Sequence, residues 1–136
     1  MLTKLNEWAK YLGAASRRSR GIFFILERFH LNHRVAYPDK YVDEIETIEQ
    51  ELLILGAKCA LLTISPEIAE QRIQSRTPDE WVNKSSEQVK AAAAELLSIQ
   101  SELRSASRRS VIPTIEMNTD NKDWIAYAKE IISILD

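Results

Sequence analysis

Acidic, basic and imidazole side chains crowd one short stretch, Glu27-Arg28-Phe29-His30-Leu31-Asn32-His33-Arg34. An adjacent carboxylate and guanidinium with a histidine two residues on are groups suited to lining a substrate pocket, and the pocket is expected to extend to Tyr37. His30 and His33 stand three apart, but no cysteine or acidic cluster accompanies them at metal-ligand spacing, so no metal site is expected. Farther along, Arg72 and Arg76 stand four apart and project from one face of a helix. Arg17-Arg18 and Arg108-Arg109 fall where helices are expected to end. They read as solvated charges at the negative end of a helix dipole.

Hydropathy patterning indicates the elements that must position these groups. Gly21-Ile22-Phe23-Phe24-Ile25-Leu26-Glu27-Arg28 contains five consecutive apolar residues with no polar alternation, the pattern of a strand buried on both faces. Ligands of parallel sheets bind at the carboxyl ends of the strands, where Glu27, Arg28 and His30 would lie. Leu2, Leu5, Trp8, Ala9 and Leu12 mark a helix before it. An irregular segment, Phe29 to Asp39, is expected after it, because Pro38 disfavours a helical Tyr37. Asp39 then caps a helix with apolar residues at 45, 48, 52 and 55, whose acids form a solvated face and which Gly56 ends.

Lys58 to Ser65 reads as a second buried strand, and Ser65-Pro66-Glu67 as a helix start. Thr77 to Trp81 is a loop or short turn. Ser85-Ser86-Glu87 opens a helix of about 20 residues, sufficient to cross a domain at about 1.5 Å per residue. Val111 to Asn118 is a third strand, which Pro113 marks as an edge or bulge. Asp120 or Asn121 caps a final helix carrying Trp124, Ile125, Ala128, Ile131, Ile132 and Leu135. Strands alternating with helices imply an α/β fold with a parallel sheet.

The chain has 136 residues, the length of one domain, with 45% apolar and 28% charged residues. A net charge of −2 offers no global field for nucleic acid, and a single cysteine, Cys59, excludes an internal disulfide. No apolar run approaches the roughly 20 residues of a membrane span. A cytoplasmic location without membrane or nucleic-acid partners is the expectation.

Together, the strand Phe23 to Arg28, the segment Leu62-Thr63-Ile64-Ser65-Pro66-Glu67, the run Glu70-Gln71-Arg72-Ile73-Gln74-Ser75-Arg76 and the closing Ile115-Glu116-Met117-Asn118-Thr119 resemble the latter two-thirds of a thymidylate-kinase-like or deoxynucleoside-kinase-like P-loop protein. The resemblance covers about residues 20 to 136 and rests on motif order and spacing. It implies a three-layer fold, a parallel sheet with helices on both faces, lacking the first two strands of the family. It also implies a single domain over residues 1–136 with a lid-like segment at 72–84. The family's activity is phosphoryl transfer from ATP, with Mg2+, to a nucleoside or nucleotide.

By the same resemblance Glu27, Arg28, His30 and Tyr37 bind the acceptor, and Arg28, Arg72 and Arg76 act on the transferring phosphoryl group. Arg72 and Arg76 close over the donor phosphates, and Asn118, Thr119 and Asn121 lie beside the adenine. Arginine forks suit phosphate oxygens, and phosphoryl transfer asks the protein for positive charge and donors. The structural alternatives are an ion pair for Glu27-Arg28, and surface pairing of Arg72 and Arg76 with Glu67, Glu70 or Glu80.

One departure outweighs these matches. The three glycines, Gly13, Gly21 and Gly56, belong to no Gly-x-x-x-x-Gly-Lys-Ser/Thr motif. These residues alone are therefore not expected to form a competent kinase, and ATP and Mg2+ are cofactors of the complete enzyme only. The expectation is a fragment of a longer kinase, half of a split enzyme, or a remnant that has closed its sheet. A homodimer or a missing N-terminal segment would fill the slot left between the first two strands. The alternative function is a non-catalytic α/β binding or assembly module that uses an open sheet edge.

Overall fold

A computed structural model describes residues 2–18 and 25–135. Along the chain lie α1 (Leu2–Arg18), α2 (His30–Ala36), α3 (Val42–Ile54), β1 (Cys59–Thr63), a 3-10 turn (Pro66–Ile68), α4 (Ala69–Arg76), α5 (Pro78–Trp81), α6 (Ser86–Arg109), β2 (Thr114–Asn118) and α7 (Trp124–Ser133). The architecture is α/β, dominated by helices around a small parallel sheet of β1 and β2. The strands pair from Cys59 opposite Thr114 to Thr63 opposite Asn118.

The expected strand at the head of the chain is corrected. Gly21 to Phe24 lie outside the described residues, but Ile25 to Arg28 form no strand, and Ile25 is 94% exposed. The segment after it is helical rather than irregular. His30–Ala36 forms α2 and ends where Pro38 requires, with Tyr37 already out of helical geometry. The helix expected from Asp39 begins at Val42, behind a left-handed Tyr41 with φ of 58°. Asp43 and Glu44 in its first turn suit the positive end of the dipole.

Leu5, Ala9 and Leu12 of α1 pack against Ile45, Ile48 and Leu52 of α3, with Ile112 beneath them. The three- and four-residue spacings read from the sequence therefore bury the faces they indicated, although Trp8 stays exposed and packs edge-on against Tyr11. Gly56 closes α3. Its φ of +78° lets its N–H reach the Leu53 carbonyl at 2.9 Å and that of Ala57 the Leu52 carbonyl at 3.0 Å. A β-carbon on Gly56 would meet nothing within 4 Å, so conformation and not space selects glycine there.

The long helix α6 starts as expected. The Ser85 hydroxyl accepts from the Gln88 N–H at 3.2 Å, and the Gln88 side-chain oxygen accepts from the Ser85 N–H at 2.9 Å. α6 packs against α2, α4 and β1. The cap of α7 falls on Asp123, which accepts from the Ala126 N–H at 3.0 Å, and not on Asp120 or Asn121.

Gln100 of α6 meets the sheet in a particular way. Cys59 donates to the Pro113 carbonyl, and Thr63 accepts from the Thr119 N–H, so odd-numbered residues of β1 face β2. The peptide groups of Ile64 therefore point to the other edge. There the Gln100 side-chain oxygen accepts from the Ile64 N–H at 2.8 Å, and its NH2 donates to the Ile64 carbonyl at 3.1 Å. One side-chain amide occupies the place of a neighbouring strand's peptide.

Candidate functional site

Polar side chains converge where β1 and β2 end. Thr119 extends the ladder by one residue, since its N–H and its hydroxyl both donate to the Thr63 carbonyl, at 2.8 and 2.9 Å. Beyond it the two loops are laced together. The Ser65 N–H donates to Asp120 Oδ1 at 2.9 Å, Asn118 Nδ2 donates to the Ser65 hydroxyl at 3.1 Å, and the Asp120 N–H donates to Asn118 Oδ1 at 2.9 Å. Ser65 was expected to cap the following helix. Its hydroxyl is instead drawn into this lattice, and the helix opens with the 3-10 turn in which the Ile68 N–H reaches the Ser65 carbonyl.

Arg72 crosses from α4 to the same place. Its Nη2 donates to the Thr119 carbonyl at 2.6 Å and lies 3.5 Å from that of Asp120. Lys122 Nζ donates to the Ser75 hydroxyl at 3.4 Å. Ile68, Gln71, Arg72, Asp120 and Lys122 enclose a cleft of about 110 Å³. Hydrogen bonds from the Ser65 hydroxyl and N–H hold the Asp120 carboxyl below its usual range, and Arg72 adds to that. Two cations thus face one carboxylate around the cleft. Ligand pockets for whole small molecules run from about 300 Å³ upward, so this cleft suits a group the size of an oxyanion and not a base or sugar.

The expected site residues divide between two places. Arg72, Asn118 and Thr119 meet at the strand ends, and Asn121 lies in the same loop, exposed. Arg76, one turn beyond Arg72 at the end of α4, is exposed. Glu27 and Arg28 form an exposed ion pair at 3.7 Å ahead of α2, and Arg28 is left-handed with φ of 51°. Tyr37 follows α2, while His30 turns inward. The structure does not gather Glu27, Arg28, His30 and Tyr37 around one cavity with Arg72.

Sequence reasoning missed Asp120 and Lys122 as cleft residues and Gln100 as an edge cap. It also placed Glu49 with the acids of a solvated face on α3, whereas Glu49 lies in a buried charge cluster. Arg34 Nε and Nη2 donate to the two carboxylate oxygens of Glu49 at 2.7 and 2.8 Å, and the Val111 N–H approaches Glu49 Oε2 at 3.4 Å. Glu49 is fully buried and Arg34 is 7% exposed. The signal was present: Glu49 stands four residues from Ile45 and three from Leu52, inside the apolar arc of α3.

His30 and His33 are buried beside this pair, and His33 packs its ring against Tyr37 and Tyr41, at centroid distances of 5.1 and 6.4 Å. Nε2 of His30 and both ring nitrogens of His33 make no hydrogen bond among the described residues. Burial lowers the pKa of both, and the Arg34 cation lowers them further, although Glu49 partly offsets this at His30. Among the described residues no three His, Cys, Asp or Glu side chains are grouped to hold a metal ion. No helix of the described residues is long and apolar enough to cross a membrane. Comparison with protein-family models, with curated proteins and with solved structures finds no match.

Proposed function

We propose that this chain supplies the donor-side part of a nucleotide site in a nucleoside- or nucleotide-kinase-like domain. The observation that carries the reading is the Arg72 hydrogen bond to the Thr119 carbonyl, made across the carboxyl ends of two adjacent parallel strands. It joins the arginine-bearing segment after one strand to the loop after the other. Ligands of parallel sheets bind at that end. Arg72 and Lys122 would hold a phosphate of the donor, Arg76 would approach it when the 72–84 segment closes, and Asn118 to Asn121 would border the base. The three-layer P-loop arrangement and the acceptor role of Glu27, Arg28, His30 and Tyr37 belong to the same proposal.

The donor-phosphate cradle is not among these 136 residues, which contain no phosphate-loop motif. Magnesium enters this reading only with the nucleotide, because the hydroxyl that holds it belongs to that loop. The residues present fit one phosphate group and not a whole ATP.

The test is a titration of ATP with magnesium, and separately of inorganic triphosphate, into the purified chain, followed by amide chemical shifts. Weak saturable shifts confined to residues 65–76 and 118–122 are expected, lost in Arg72→Met, with no phosphate transferred to thymidine or its monophosphate. Shifts that ignore this region would overturn the reading, as would their persistence in Arg72→Met. Turnover by the isolated chain would overturn the view that it is one part of a site.

A further inference from the structure

The cleft at the strand ends is lined by two cations and one anion, Arg72, Lys122 and Asp120, beside the neutral Ile68 and Gln71. A site that only gathered negative charge would be stronger without Asp120, whose carboxylate repels an incoming oxyanion. Among the described residues these three are the charged side chains of the lining, so two cations against one carboxylate leave a single net positive charge. Glu67, Glu70, Arg76 and Asp123 belong to the same segments but are exposed and line none of it. Nor does any charged residue of α5 or α6, the helices packed against α4.

Each charged group keeps capacity for a ligand. A guanidinium has five N–H donors, and among the described residues Arg72 engages Nη2 alone. An ammonium has three, and Lys122 Nζ spends one on the Ser75 hydroxyl. Asp120 Oδ1 accepts from the Ser65 N–H at 2.9 Å, whereas an ionised carboxylate offers about four acceptor positions. The hydrogen bonds from Ser65, and then the Arg72 charge, keep that carboxyl ionised. An ionised carboxylate accepts and cannot donate. An oxyanion oxygen set against Asp120 must therefore bring its own proton.

We propose that Asp120 selects a terminal phosphate that carries a proton: Arg72 and Lys122 hold its oxygens, and its P–O–H donates to the Asp120 carboxylate. This rests on the reading of the cleft as a phosphate site and narrows it. A phosphate inside a polyphosphate chain is bonded on two sides and holds no such proton near neutral pH. The cleft therefore takes the end of a chain or a phosphate monoester. A monoester loses its second proton at about pH 6, so the selected form is the monoanion, whose charge matches that of the lining. Sulfate and sulfate esters have no proton to give and are rejected by the same carboxylate.

Titration of methyl phosphate and methyl sulfate into the full chain tests this, read from the amide chemical shifts of residues 65–76 and 118–122. The two esters match in size, and at about pH 5.5 both are chiefly monoanions, but only the phosphate has an O–H. There methyl phosphate should bind about tenfold more tightly than methyl sulfate, the lower end for a charge-assisted hydrogen bond because the cleft is open to water. Its binding should weaken toward about pH 7.5, as the proton leaves. Asp120→Asn keeps an acceptor oxygen for the Ser65 N–H and removes the charge. In that variant the preference for phosphate should fall to about twofold or less, and methyl phosphate should now bind more tightly at the higher pH. Methyl phosphate that already binds the parent chain more tightly at the higher pH overturns the proposal without any variant. A preference that survives Asp120→Asn overturns the assignment to Asp120. Equal binding of both esters to the parent, abolished in Arg72→Met, overturns the proposal and leaves the nucleotide reading standing. Absence of shifts with either ester overturns both.

Discussion

Removing Glu49 should be among the most damaging single changes in this chain. The perturbation is Glu49→Ala, which leaves the Arg34 guanidinium 7% exposed with the partners of Nε and Nη2 gone. Little of that side chain meets water in the parent fold, so the stranded charge is poorly solvated. Breaking a buried pair from one side costs about 3–5 kcal/mol, because an uncompensated charge stays behind. Domains of this size are stable by about 5–15 kcal/mol, so the loss is a large share of the total. Replacing both partners, as Arg34→Met with Glu49→Leu, removes both desolvation costs and should return stability to within about 1–2 kcal/mol of the parent or above it. Urea unfolding followed by helical circular dichroism gives each value, with the slope checked for constancy. The reasoning fails if Glu49→Ala costs less than about 1 kcal/mol, the range of a solvated surface pair. It also fails if the double variant is as unstable as Glu49→Ala, since packing and not stranded charge would then be the cause.

Two further outcomes follow from the same structure. His30 and His33 have folded-state pKa values below the ordinary 6.5, with burial as the first cause, so the unfolded chain takes up protons that the folded chain refuses. Their contribution to stability is present above about pH 6.5 and is lost as pH falls below it, and His33→Phe should reduce the proton uptake measured from urea midpoints between neutral and mildly acid pH. Ser85→Ala removes one half of the α6 capping box and should cost about 1 kcal/mol in the same unfolding assay, whereas Ser86→Ala, one residue inside the helix, should cost little.

Where local chemistry decides an element, the sequence was sufficient. The Ser85 cap, the stop at Gly56 and the non-helical Tyr37 before Pro38 depend on one or two residues, and each stands where it was read. The parallel pairing of β1 with β2 followed from alternation of strands and helices. The apolar run misled at Ile25 and Leu26, because apolar residues specify burial only when a neighbouring strand or helix accepts them, and hydropathy does not name that neighbour. His30–Ala36 was read as irregular because its polar residues mask the helical period, yet His30, Leu31, His33 and Arg34 are the residues it buries. Asp120 and Lys122 were legible as turn residues but not as a cleft, since the cleft exists only once Arg72 arrives from a helix 47 residues away in sequence.

Gln100 bears on which of the functional readings the fold favours. A parallel sheet of two strands has an outer edge on β1, and an open edge of that kind invites strand addition. The two hydrogen bonds from the Gln100 amide satisfy Ile64 as a neighbouring peptide would. What remains of that edge is Ala60 and Leu62, the outward-facing residues of a segment three residues long, the lower limit of an ordinary strand. A partner strand would have to displace Gln100 to gain a third. The cap therefore argues against an assembly module working through this edge. The Asn118–Ser65–Asp120 lattice lies beside the same strand end, at the carboxyl terminus of β1. A side chain that closes the edge there also holds Ile64 in place beneath Ser65, so the device that blocks the sheet stiffens the loop from which the cleft is built.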